Sequence, residues 1–69
     1  MTNLEKNILK ELDRQGFSAR TISIVMKKLN TSDKKNSFLS YLIGNRNVLL
    51  SDFDLINYIK EEIMKKWIL

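Results

Sequence analysis

The sequence has no cysteine, no histidine and no proline, and only two glycines in 69 residues. Without cysteine there is neither a disulfide staple nor a thiol nucleophile. Without histidine the commonest zinc ligand and the commonest general base are both missing. The lack of proline and the scarcity of glycine, together with the absence of repeats or low-complexity segments, leave nowhere for an interdomain linker. One domain over residues 1–69 is therefore expected, near the lower limit at which a core holds without staples. No stretch approaches the ~20 apolar residues that a membrane-spanning helix needs. Glu5 and Lys6 interrupt the region where a signal peptide is apolar, and a cytoplasmic location is the expectation.

What the chain does have is charge and aliphatic side chains. Twelve Lys and Arg against eight Asp and Glu give a net charge of +4, which leaves nucleic acid, acidic proteins and anionic membrane as partner classes. The abundance of lysine, asparagine and isoleucine is compatible with an AT-rich bacterial or phage-like source.

Residues 12–29 organise the rest. Gly16 is free to take the left-handed conformation just past a helix end, where a side chain clashes with the preceding carbonyls. With Gly16 at C′, Leu12 and Phe17 occupy the two positions whose side chains touch in a Schellman ending. Ser18 then serves as the N-cap of the next helix, worth roughly 1 kcal/mol against alanine. A helix stops near Gln15 and another starts at Ala19, which makes a tight helix corner.

Four helices follow from caps and periodicity, at about 3–15, 19–29, 33–43 and 52–67. Thr2 and Glu5 form a capping-box pattern, and Leu4, Ile8, Leu9 and Leu12 recur at helical spacing. Lys6, Lys10 and Arg14 form the solvated opposite face. Helix 2 turns Ile22, Val25, Met26 and Leu29 to one side, with Ile24 off that face. Asn30 is expected in a left-handed C-terminal position, and Thr31 or Ser32 as the cap of helix 3. Helix 3 buries Phe38, Leu39, Leu42 and Ile43, with Tyr41 to one side, and ends at Gly44. After a polar turn at Asn45, Arg46 and Asn47, the residues Val48, Leu49 and Leu50 are expected to re-enter the core. Ser51 and Asp54 make a second capping-box pattern, and Phe53, Ile56, Ile59, Ile63 and Trp67 mark the inner side of helix 4. The fold class is all-α: an orthogonal three-helix unit closed by a longer C-terminal helix.

No constellation carries chemistry. Glu61 and Glu62 diverge by about 100° around their helix, and Asp52 and Asp54 stand where caps and dipole partners belong. Gly16 and Gly44 both end helices, which leaves no glycine-rich phosphate loop. The expectation is a protein that is not an enzyme, with no catalytic, metal or cofactor residues and no small-molecule substrate.

Partner candidates fall into two sets. Ile24, Tyr41, Trp67, Ile68 and Leu69 are apolar or aromatic side chains off the inner faces, suited to a protein partner or to self-association. Arg20, Lys27, Lys28, Lys34, Lys35 and Arg46 are the basic set suited to nucleic acid. Lys27 and Lys28 also complement a helix C-terminus. Lys34 and Lys35 occupy a first helical turn, where positive charge is disfavoured, which gives them the more functional look.

Helices 2 and 3 resemble a DNA-binding helix-turn-helix in outline. Val25 and Leu29 fill apolar positions and Ser32 begins the second helix, but Asn36 falls where that family buries an aliphatic residue. With helices 1 and 2 instead, Arg20, Thr21 and Ser23 stand near the start of the reading helix. The run from Leu9 to Leu42, with Gly16 and Phe17 after helix 1, resembles the three-helix ubiquitin-associated family, with Gln15 in place of that family's loop methionine and a fourth helix following. Residues 11–29 are similar to the helical repeats of RecX recombination regulators, which use more repeats than this length allows. Both resemblances imply compact three-helix packing, and neither transfers a functional residue. The functional expectation is a small regulatory or adaptor protein acting through protein contacts, with nucleic-acid binding by a basic helix face as the alternative.

Overall fold

Each helix of the chain begins on a hydroxyl side chain that accepts a backbone N–H, and those four caps set the architecture. The computed structural model describes residues 2–64, which form α1 (Asn3–Arg14), α2 (Ala19–Lys28), α3 (Ser32–Gly44) and α4 (Asp52–Tyr58). α4 runs on into a π-helical turn over Ile59–Met64. The structure is all-α, with no strand among the described residues. Thr2 and Glu5 close a capping box on α1, and Ser51 and Asp54 close one on α4. Ser18 Oγ accepts from the Thr21 N–H at 3.3 Å, and Thr31 Oγ1 from the Lys34 N–H at 3.2 Å.

The corner after α1 is a Schellman ending. Gly16 has φ +86°, and its N–H donates to the Asp13 carbonyl while the Phe17 N–H donates to that of Leu12. α2 ends differently, because Leu29 closes it with an N–H to the Val25 carbonyl and, among the described residues, only Gly16 has positive φ. Asn30 is therefore not left-handed, contrary to the expectation from the sequence. Asn45 terminates α3 with its own N–H and its side-chain amide, both donating to the Tyr41 carbonyl.

The core is one cluster fed by all four helices: Ile8, Leu12, Val25, Leu29, Phe38, Leu42, Leu55, Ile59 and Ile63. Burial of each contributes roughly 1.5–3 kcal/mol. The Cα radius of gyration, 11.1 Å, matches the roughly 11 Å expected for a packed chain of this length. α1 and α3 lie side by side in the same direction. Glu5 and Lys35 meet near their starts at 3.9 Å, and Glu11 and Arg46 meet at their ends.

Three expectations about the core are corrected. Phe53 faces outward at 73% exposure, and Leu55 takes the inner place. Leu55, Ile59 and Ile63 repeat every four residues, which overruns a 3.6-residue α turn by about 40° per step. The wider i→i+5 turn over Ile59–Met64 takes up that excess and keeps all three on the core face. Val48 and Leu49 do not re-enter the core, and only Leu50 is half-buried. Ile43, at the end of α3, is exposed rather than buried. Trp67, Ile68 and Leu69, named from the sequence, lie outside the described residues.

Candidate interaction surface

The connection from α3 to α4 is fixed at both ends before it turns outward. Asn45 caps α3, its carbonyl accepts from the Val48 N–H at 3.0 Å, and Ser51 opens α4. Between them, the Arg46 guanidinium donates to Glu11 from Nε at 2.8 Å. Glu11 is buried on α1 and also takes a 3.0 Å bond from Arg14. The Arg46 hydrogen bonds, then those from Arg14, hold the Glu11 carboxyl down at about 2. Glu11 belongs to α1, so the bond ties Arg46, and with it the start of the connector, to that helix. The connector presents Val48 and Leu49, the latter 96% exposed, and the first turn of α4 adds Phe53.

A second surface lies where α2 passes α4. Thr21, buried near the start of α2, donates from Oγ1 to Asp52 Oδ2 at 3.0 Å and ties the two helix starts together. One or two turns further on, Lys28, Ile56, Ile59 and Lys60 line a groove of about 320 Å³. Ile24 stands one turn before Lys28 on the same flank of α2, and Phe53 one turn before Ile56 on α4. Both are exposed, so the groove is apolar toward the helix starts and basic toward the ends.

The other concavities are poorer. A groove of about 250 Å³ between α1 and α3 is lined by Leu39 and Ile43 but is crossed by the Glu11–Arg46 pair. The outer face of α1, with Asn3, Lys6, Asn7 and Lys10, is shallow.

Of the apolar set named from sequence, Ile24 is exposed beside the α2–α4 groove. Tyr41 is half-buried and stacked on Tyr58, with ring centroids 3.8 Å apart and planes 8° from parallel. Trp67, Ile68 and Leu69 fall outside the described residues. The basic set divides. Lys34 is buried along the Phe38–Leu42 line of α3, and its Nζ donates to Asn30 Oδ1 at 2.9 Å. Lys35 faces Glu5, and Arg46 is held by Glu11. Arg20, Lys27 and Lys28 are exposed on α2. The two lysines misplaced in the first turn of α3 thus have intramolecular partners, and the structure does not gather the six cations on one face.

Sequence reasoning missed Leu49, Phe53 and the groove lysine Lys60. Glu11 and Thr21 were signalled by the roughly 100° helical step, which puts each on the apolar face of its helix. Among the described residues no helix is long and apolar enough to cross a membrane. No family model, curated protein or solved structure matches the chain.

Proposed function

We propose that this chain is a small non-enzymatic regulatory or adaptor protein that works by docking onto other proteins. The observation that carries the reading is the pair Leu49 and Phe53, large apolar side chains turned to solvent on a connector pinned by Arg46, Asn45 and Ser51. Apolar side chains presented on a fixed backbone lose little entropy when a partner covers them, which is the arrangement that binding hot spots use. The test compares the native chain with L49S/F53S by affinity capture from an extract of the source cells and by sedimentation. A discrete partner or a self-associated species should be present with the native chain and lost in the variant, at unchanged helicity. Equal behaviour of the two proteins refutes the reading.

A second reading, nucleic-acid binding, is supported by Arg20 and Lys27, which stand seven positions apart on the exposed side of α2. Phosphate contact there gives an affinity that falls steeply with salt and is lost in R20E/K27E. Salt-independent behaviour, or none at low salt, removes it.

A further inference from the structure

We infer that the α2–α4 groove is a seat for an acidic amphipathic helix of a partner protein, with an apolar side chain over the half-buried Ile56 and carboxylates on Lys28 and Lys60. This rests on the protein-contact reading above and adds the chemistry of the partner.

Size comes first. At about 320 Å³ the groove stands at the bottom of the range of roughly 300–1,000 Å³ typical of small-molecule pockets. It is only partly enclosed, and Ile24 and Phe53, each one turn nearer the helix starts than a lining residue, stand exposed beyond its end. A short open trough with an aliphatic floor suits side chains projecting from a helix at i, i+3 and i+4 rather than a ligand that must be swallowed whole.

Charge then selects the kind of helix. Lys28 approaches from α2 and Lys60 from the π turn that continues α4, so two ammonium groups bracket the apolar floor, and no described carboxylate lines it. Asp52, one turn before Ile56, accepts the Thr21 hydroxyl. A partner with carboxylates flanking its apolar stripe gains at both lysines, while a basic one meets like charge on a chain already at +4. The same arithmetic disfavours a second copy. A two-fold contact through this groove sets each lysine against lysines of its own kind. Phosphate backbones satisfy the lysines but leave Ile24, Phe53 and Ile56 uncovered, and it is those side chains that gain most from leaving water.

The experiment uses the full chain and a fluorescein-labelled synthetic helix of about 18 residues, long enough to hold helical structure, with leucines on one face and glutamates on the other. Anisotropy measures affinity, and amide chemical shifts locate the contact. Binding should move amides of residues 24–28 and 53–60, weaken about tenfold or more in K28E/K60E, and weaken again when serine replaces the peptide's leucines. A peptide with lysine for glutamate should prefer the K28E/K60E protein. The variant I24S supplies a milder control that leaves the core untouched. No shift at about 1 mM peptide, binding that K28E/K60E leaves intact, or shifts elsewhere overturn the inference. So does stronger displacement of the peptide by a DNA duplex or by vesicles of phosphatidylcholine and phosphatidylglycerol. If these fail while L49S/F53S still abolishes capture, the partner chemistry is wrong and the docking reading stands. If L49S/F53S changes nothing, the docking reading itself fails.

Discussion

Arg46 Nε and Glu11 Oε1 are 2.8 Å apart although 35 positions separate them in the chain, and this bond joins the α3–α4 connector to the last turn of α1. Arg14 shares the same carboxylate at 3.0 Å. Glu11 therefore ionises near 2 in the folded chain instead of 4.5, and between those values the unfolded chain holds more protons. The stabilisation from Glu11 is complete above about pH 4.5 and is lost as pH falls toward 2. The variant E11Q should be less stable than the native chain at neutral pH by about 1 kcal/mol, a modest figure because both arginines reach solvent. Urea unfolding between pH 7 and pH 2 is the check, and the gap between the two proteins should close on the acid side. A gap that persists unchanged at the lowest pH shows that the charge is not what Glu11 contributes.

The glycines separate two effects that sequence alone cannot. Gly16 has φ +86° and open space around a hypothetical Cβ, so G16A carries only the backbone penalty, about 1 kcal/mol of destabilisation. Gly44 also has open space but lies in the helix, so G44A should stabilise by roughly 0.5 kcal/mol through the unfolded state. Paired denaturation curves with opposite shifts are expected. Shifts of the same sign contradict the assignment of the left-handed position to Gly16 alone.

What the residues disclosed in advance were the ends of things. Thr2 with Glu5, Ser18, Ser51 with Asp54, and the Leu12–Gly16–Phe17 ending are local, and local chemistry decides them, while the cap of α3 was narrowed to Thr31 or Ser32 and is Thr31. The inner face of α4 was harder. Residues 52–59 are apolar at Phe53, Leu55, Ile56 and Ile59, so more than one face fits the periodicity. The Leu55 face is the one that packs with Ile59 and Ile63 on residues of α1, α2 and α3, contacts distant in the chain, and the Thr21–Asp52 bond and the π turn are compatible with it. The basic set misled for a related reason. Lys34 sits four before Phe38 and eight before Leu42, on the buried line, and its bond to Asn30 depends on how α2 exits. The candidate surface was half legible: Ile24 was visible as an apolar residue on the wrong side of α2, whereas Leu49 and Phe53 looked like core until the connector's pinning was known.

Tyr41 and Tyr58 make a face-to-face stack on the flank of Phe38. Burial raises both phenols above 10, with Asp54 adding to the effect at Tyr41 and Glu62 at Tyr58. Folding favours the protonated phenols, so their contribution is intact below pH 10 and is lost as pH rises through the folded values. Phenolate absorbance should show both tyrosines titrating later in the folded chain than in urea. Y58F should flatten the alkaline loss of stability, and titration at the ordinary value in the folded chain contradicts the packed stack.

Leu42 and Leu49 are the same residue type at opposite extremes, fully buried and 96% exposed, and their substitutions should part company. L42A removes a core side chain at a cost of about 2–5 kcal/mol. A chain of this length commands only about 3–10 kcal/mol in total, so L42A should sit close to unfolding at 37 °C. L49S, and F53S beside it, touch nothing that the monomer packs and should change stability by less than about 0.5 kcal/mol. Because about 1 kcal/mol moves the midpoint of so small a domain by some 4–8 °C, thermal melts resolve the difference easily. An unchanged melt for L49S alongside lost association locates the value of Leu49 in contacts with another molecule. A melt lowered by several degrees instead means that the isolated chain already covers Leu49, and the docking surface must then be sought along α2.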